Sequence, residues 1–107
     1  GDKLAIVAIP TNQFGKQENL EESEILASLK HVRPGGGYEP KFPVTSKVDA
    51  NGASADPIFR YLRAEIPFPA DQTAEDCDIL GSSKLLQWEP ISRNDVAWNF
   101  EKWVIGT

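Results

Sequence analysis

An α/β chain is the fold class this sequence predicts, and three observations predict it. Six consecutive apolar residues, Leu4 to Ile9, have the length and the Ile/Val content of a short strand buried on both faces, as in a parallel sheet. Two later stretches repeat apolar residues at helical spacing: Ile25, Leu26, Leu29 and Val32, then Ile58, Phe59, Leu62 and Ile66. Residues 99–106 combine aromatic and β-branched side chains, which predicts a second strand.

The elements follow in order. The first strand must stop at Pro10, and the polar loop Pro10-Thr11-Asn12-Gln13-Phe14-Gly15 follows its carboxyl end, where open α/β sheets place their sites. Asn19 with Glu22 reads as an N-cap and a capping-box acid for the first helix. That helix must end before Pro34-Gly35-Gly36-Gly37. Residues 38–55 are loop-rich, with Pro40, Pro43 and Asn51-Gly52 as turn signals. Asp56-Pro57 is an N-cap followed by proline at the first helical position, and Pro67 closes the second helix. Residues 67–84, rich in Pro, Asp, Ser and Gly, read as exposed. No internal repeat or domain boundary divides the 107 residues.

Charge and composition exclude several function classes. Sixteen acidic residues against 11 basic ones leave a net charge of −5, the wrong sign for tracking nucleic-acid phosphates or anionic membranes. No apolar run reaches the ~20 residues of a membrane span. One cysteine, Cys77, allows no disulfide within the chain, and with one histidine, His31, it cannot build a tetrahedral zinc site. The chain contains no Met and begins with Gly, so a processed chain or a fragment is expected. A core strand at each end leads to the same expectation.

Four stretches together resemble one family. They are Asn12-Gln13-Phe14-Gly15-Lys16-Gln17-Glu18-Asn19, Val32-Arg33-Pro34-Gly35-Gly36-Gly37-Tyr38, Trp88-Glu89-Pro90, and Asp95-Val96-Ala97-Trp98-Asn99-Phe100-Glu101-Lys102. In this order and at these separations they are similar to the glutathione peroxidases, specifically the selenium-dependent tetrameric type. The resemblance implies a thioredoxin-like α/β/α sandwich, incomplete at both ends, with residues 1–107 as the central part of one domain. It also implies reduction of hydrogen peroxide and organic hydroperoxides with glutathione. The peroxidatic selenocysteine or cysteine is expected upstream of Gly1, with no prosthetic cofactor and no metal. The expected compartment is cytoplasmic, with secretion as the alternative.

A peroxidatic selenolate or thiolate must stay deprotonated, and N–H donors around the anion favour that state. The family's stabilising set falls on Gln13, Trp98 and Asn99, which offer an amide, an indole N–H and an amide. None of the three is a general base, so their implied role is to stabilise and orient. Read without the resemblance, Gln13 is a loop residue capping backbone and Trp98 a core aromatic. Arg33 matches the family's glutathione-contacting arginine and, with Lys30 and His31, makes a basic spot suited to a carboxylate. The loop Pro34, Gly35, Gly36, Gly37 matches the segment tied to a homotetramer, and its glycines allow close backbone approach.

Cys77 sits among Glu75, Asp76 and Asp78, which disfavour a thiolate, so it reads as an exposed or packing cysteine. The sequence also departs from the family. Thr11 stands where a cysteine is common. No resolving cysteine occurs in residues 11–38, which favours glutathione over thioredoxin as reductant. Glu21 and Glu22 stand where some relatives carry a glutathione-contacting lysine. The alternative function is a truncated, non-enzymatic thioredoxin-like fragment without the peroxidatic residue.

Overall fold

The computed structural model describes residues 4–66, 87–92 and 94–106. Two helices, α1 over Glu22–His31 and α2 over Pro57–Glu65, lie among extended segments and turns. The core gathers between α2, the loop after the first extended segment, and the carboxyl-terminal stretch. Phe14, Ala50, Phe59, Trp88 and Val96 are buried there, with Ile9, Val48, Trp98 and Trp103 packed around them. Phe14 sits between two indoles, edge-on to Trp88 at 5.7 Å and tilted against Trp98 at 5.5 Å. Phe59 on α2 meets Trp103 edge-on at 5.6 Å. Ring pairs at these separations add attraction beyond their buried area.

The first apolar segment is extended, and it pairs in parallel with the chain near Val44 through the bridge Ala8–Val44. Its hydrogen bonds are Ala8 N–H to Pro43 O at 3.0 Å and Thr45 N–H to Ala8 O at 2.9 Å. Burial on both faces is not observed: Leu4, Ile6 and Val7 are exposed. The reason is that, among the described residues, this segment has pairing on one edge only and packing only from Ile9 onward. The strand expected over 99–106 is likewise corrected: Asn99 and Phe100 lie in a turn, with Phe100 at a φ of +66°, and residues 101–106 carry no ladder pairing among the described residues. Trp103 anchors this segment, while Val104 and Ile105 are exposed.

Helix α2 follows its sequence signals. The Asp56 carboxylate accepts from Ile58 N–H at 3.0 Å, with Pro57 at the first turn. Its buried face is Phe59 and Leu62, and Ile58 and Ile66 stay exposed. Helix α1 starts later than Asn19 predicts. Glu21 is its N-cap, and its N–H donates to the Glu24 carboxylate at 3.0 Å. Asn19 is occupied elsewhere: its amide donates to Lys16 O at 2.7 Å and accepts from Asn12 Nδ2 at 2.9 Å. Of the α1 apolar stripe only Ile25 is buried, and Leu26, Leu29 and Val32 are exposed.

The 34–37 loop folds back onto the end of α1. Gly37 N–H donates to Lys30 O at 2.9 Å, and a Cβ on Gly35 would stand 2.3 Å from Leu29 O. Any side chain there would push the loop off the helix. Gly52 is constrained twice. Its φ is +85°, and a Cβ would fall 2.9 Å from Glu89 O. Gly52→Ala in the full-length protein is therefore expected to lower stability by roughly 1–3 kcal/mol, read by urea unfolding. An unchanged midpoint would mean that the Trp88-Glu89 contact yields without cost.

Candidate active site

The loop after the first extended segment is closed by side chains. Asn12 Oδ1 accepts from Glu18 N–H at 2.9 Å, and Asn12 Nδ2 donates to Asn19. Lys47 clamps the loop's exit through Glu18 O at 3.1 Å and Leu20 O at 2.8 Å. Closure turns Gln13 and Phe14 inward, and both are buried.

Gln13 spends most of its amide on backbone. Its Oε1 accepts from Ala50 N–H at 2.9 Å and Asn51 N–H at 2.8 Å, and its Nε2 donates to Asn51 O at 2.8 Å. An amide nitrogen carries two hydrogens, so one donor remains beyond these bonds. Trp98 is half-buried and lies on Phe14, the residue after Gln13. Its ring edge also limits the space over Gly15, where a Cβ would stand 3.4 Å from the indole. Asn99 donates through Nδ2 to Gln17 Oε1 at 2.9 Å, across 82 positions of sequence. The structure thus brings the 13–17 loop and the 98–99 pair side by side.

Arg33 stands apart from that meeting. It is exposed just past α1, with a φ of +65°. No hydrogen bond among the described residues joins it to Gln13, Trp98 or Asn99. The basic spot is also smaller than the sequence implies, because Lys30 pairs with Glu39. His31 is exposed. Cys77 lies outside the described residues, as does the 67–84 stretch. A wide, open depression of about 470 Å³ is lined by Asn12, Lys47, Val48, Asp49, Asp56 and Pro57, among others. None of Gln13, Trp98 and Asn99 is on its wall.

Beneath the meeting point runs a buried polar network that sequence reasoning missed. Asn51 and Asp95 are each 1% exposed. The Asn51 side chain donates to Val96 O and accepts from Val96 N–H, both at 2.8 Å. Arg63 on α2 reaches Asn51 Oδ1 at 3.3 Å and Asp95 Oδ1 at 2.6 Å. The other Asp95 oxygen accepts from the Trp88 indole N–H and from Ser92 N–H, both at 2.8 Å. Asn51-Gly52 reads as a turn and says nothing of what the amide bonds, and the family stretches that contain Trp88 and Asp95 do not show that the two residues are joined. Among the described residues no cluster of His, Cys, Asp and Glu could hold a metal ion. No helix there is long and apolar enough to cross a membrane.

The chain is similar to known proteins along most of its length. The family model described as glutathione peroxidase matches residues 1–63. The chain belongs to the glutathione peroxidase family. Glutathione peroxidase 2 of Mus musculus is 48% identical over 104 residues, 97% of this chain and 53% of that protein. Glutathione peroxidase 1 of Hylobates lar is 50% identical over 103 residues, 96% of this chain and 50% of that protein. A glutathione peroxidase of Molluscum contagiosum virus subtype 1 is 48% identical over 103 residues, 96% of this chain and 46% of that protein. The chain spans about half the length of the curated relatives it matches. The similarity to these glutathione peroxidases runs past the 1–63 match and takes in the Trp98-Asn99 end as well as the Gln13 loop.

Proposed function

We propose that the full-length protein is a peroxidase that reduces hydrogen peroxide and organic hydroperoxides with glutathione, in antioxidant defence. The carrying observation is the junction of the 13–17 loop with Trp98 and Asn99, made by the Phe14–Trp98 stack and the Asn99–Gln17 hydrogen bond. It supports a reading in which an amide donor and the indole serve one anion in a chain of this family. Donors so placed lower the pKa of an adjacent thiolate or selenolate and hold it for attack on the peroxide. The anion bonds to one peroxide oxygen, the O–O bond breaks, and the departing alkoxide or hydroxide takes a proton. Two glutathione thiols then reduce the resulting sulfenic or selenenic acid and leave as the disulfide.

The rest of the reading belongs to the same proposal. Residues 1–107 form the central part of a single thioredoxin-like α/β/α domain, supported by the parallel Ala8–Val44 pairing and by α1 and α2. Gln13, Trp98 and Asn99 stabilise the peroxidatic anion, a selenocysteine or cysteine. Arg33, exposed past α1, meets a glutathione carboxylate. Pro34, Gly35, Gly36 and Gly37 form the tetramer contact, supported by the tight return of Gly35 onto α1, which leaves Gly36 and Gly37 exposed. The compartment is cytoplasmic. One observation favours a non-enzymatic reading of the 107 residues alone: Gln13 already has backbone partners for its oxygen and one N–H.

A coupled assay with hydrogen peroxide and glutathione tests the proposal. The full-length protein is expected to turn over. The 107-residue chain alone is expected to stay at background, because donors accelerate nothing without a nucleophile and its single sulfur is Cys77. A silent full-length protein would overturn the peroxidase reading. Turnover by the 107-residue chain that disappears in Cys77→Ser would make Cys77 the nucleophile instead.

A further inference from the structure

The proposed chemistry, on which this inference rests, needs groups from two distant stretches to hold a common register. Among the described residues, Asn51 alone is hydrogen-bonded to both Gln13 and the 95–99 stretch. Its main chain pairs with the Gln13 amide, N–H to Oε1 and O from Nε2, each at 2.8 Å. Its side chain pairs with the peptide group of Val96 in the same reciprocal way, Nδ2 to O and Oδ1 from N–H, each at 2.8 Å. Trp98 follows Val96 by two residues. A primary amide supplies a donor and an acceptor in one plane; an ionised carboxylate lacks the donor, and an aliphatic side chain lacks both. At 1% exposure no water is at hand to replace a lost partner, and a buried unpaired group is costly.

We propose that Asn51 is a positioning residue for the peroxide step, holding Gln13 and the Trp98-Asn99 pair in register without touching the reacting atoms. Displacements near 1 Å at a reacting centre can cost about 10²-fold in rate, so a slip of the Val96 peptide is enough to matter.

The test uses the full-length protein with Asn51→Ala and Asn51→Asp. The aspartate keeps the shape, the main-chain bonds to Gln13 and an acceptor for Val96 N–H, so it serves where the alanine variant does not fold. Leu62→Ala is the control, since Leu62 is a buried core residue of α2 and makes no hydrogen bond to either stretch. Stopped-flow measurement separates oxidation by peroxide from reduction by glutathione. The Asn51 variants are expected to slow the peroxide step by about tenfold or more and to leave the glutathione step nearly unchanged. The midpoint of iodoacetamide alkylation against pH is expected to move up in the Asn51 variants and to stay put in Leu62→Ala. Asn51 variants that fold and match Leu62→Ala in peroxide rate and midpoint would overturn the inference. A wild-type protein without turnover would overturn the peroxidase reading and with it the role in the peroxide step, leaving the claim that Asn51 holds Gln13 and Trp98 in register. The inference would then rest on nitrogen-15 spectra of Asn51→Asp: displacement of both the Gln13 amide and the Trp98 indole signals supports it, and unmoved signals overturn it.

Discussion

Trp98→Phe in the full-length protein is expected to slow peroxide reduction about 10²-fold, the usual cost of one lost anion-stabilising donor. Phenylalanine keeps a ring against Phe14, which stacks with Trp98 at 5.5 Å, so the change removes the indole N–H and little of the packing. Trp88 gives the internal contrast. Its indole N–H is consumed by Asp95 at 2.8 Å, whereas no acceptor among the described residues takes the Trp98 indole N–H. Trp88 is thus tied into the buried network, and the proposed function gives the Trp98 indole N–H to the peroxidatic anion. The measurement is the second-order rate constant for peroxide with the reduced enzyme, alongside an unfolding curve. A folded variant with an unchanged rate constant would reduce Trp98 to a core aromatic.

Some of the local chemistry, where the partner is close in sequence, was legible. Asp56 caps α2 through a neighbour two residues away, and Gly52 takes the positive φ that an Asn-Gly turn calls for. The Asn19 expectation failed because its amide closes the 12–19 loop, a competition that no capping pattern encodes. Burial of the first extended segment failed for a related reason. Six apolar residues say that a segment wants covering, while the pairing that covers it is non-local, and here only one edge is paired. The loop of Gln13 and the Trp98-Asn99 pair were found through resemblance, since neither stretch carries a sign of the other. The partners of Asn51 and Asp95 were not legible. A single Asn before Gly reads as a turn, and Asp95, though it opens one of the family stretches, carries no sign of Arg63, Trp88 or Ser92 as its partners. Only the fold reveals partners up to 45 positions away.

Asp95→Ala is expected to be the most destabilising single change outside the hydrophobic core, at about 3–5 kcal/mol, the range for removing one partner of a buried ion pair. The Asp95 side chain is fully buried and its partner Arg63 is 15% exposed, so water cannot take over from the carboxylate. Truncation strands three donors at once: the Arg63 guanidinium, the Trp88 indole N–H and Ser92 N–H. Arg63 also bonds Asn51 Oδ1, so its release loosens the residue that joins the Gln13 loop to Val96. Asp95→Asn distinguishes charge from shape. It keeps the volume and one acceptor, leaves Arg63 without a counter-charge, and is expected to fall between wild type and alanine. Urea unfolding of the full-length protein followed by tryptophan fluorescence measures both, because Trp88 reports on the same contact. A salt titration adds a second criterion: a pair this enclosed should respond far less to ionic strength than the exposed Lys30–Glu39 pair. An alanine variant losing under about 1 kcal/mol, the range of exposed pairs, would show that Asp95 is not the anchor of the network.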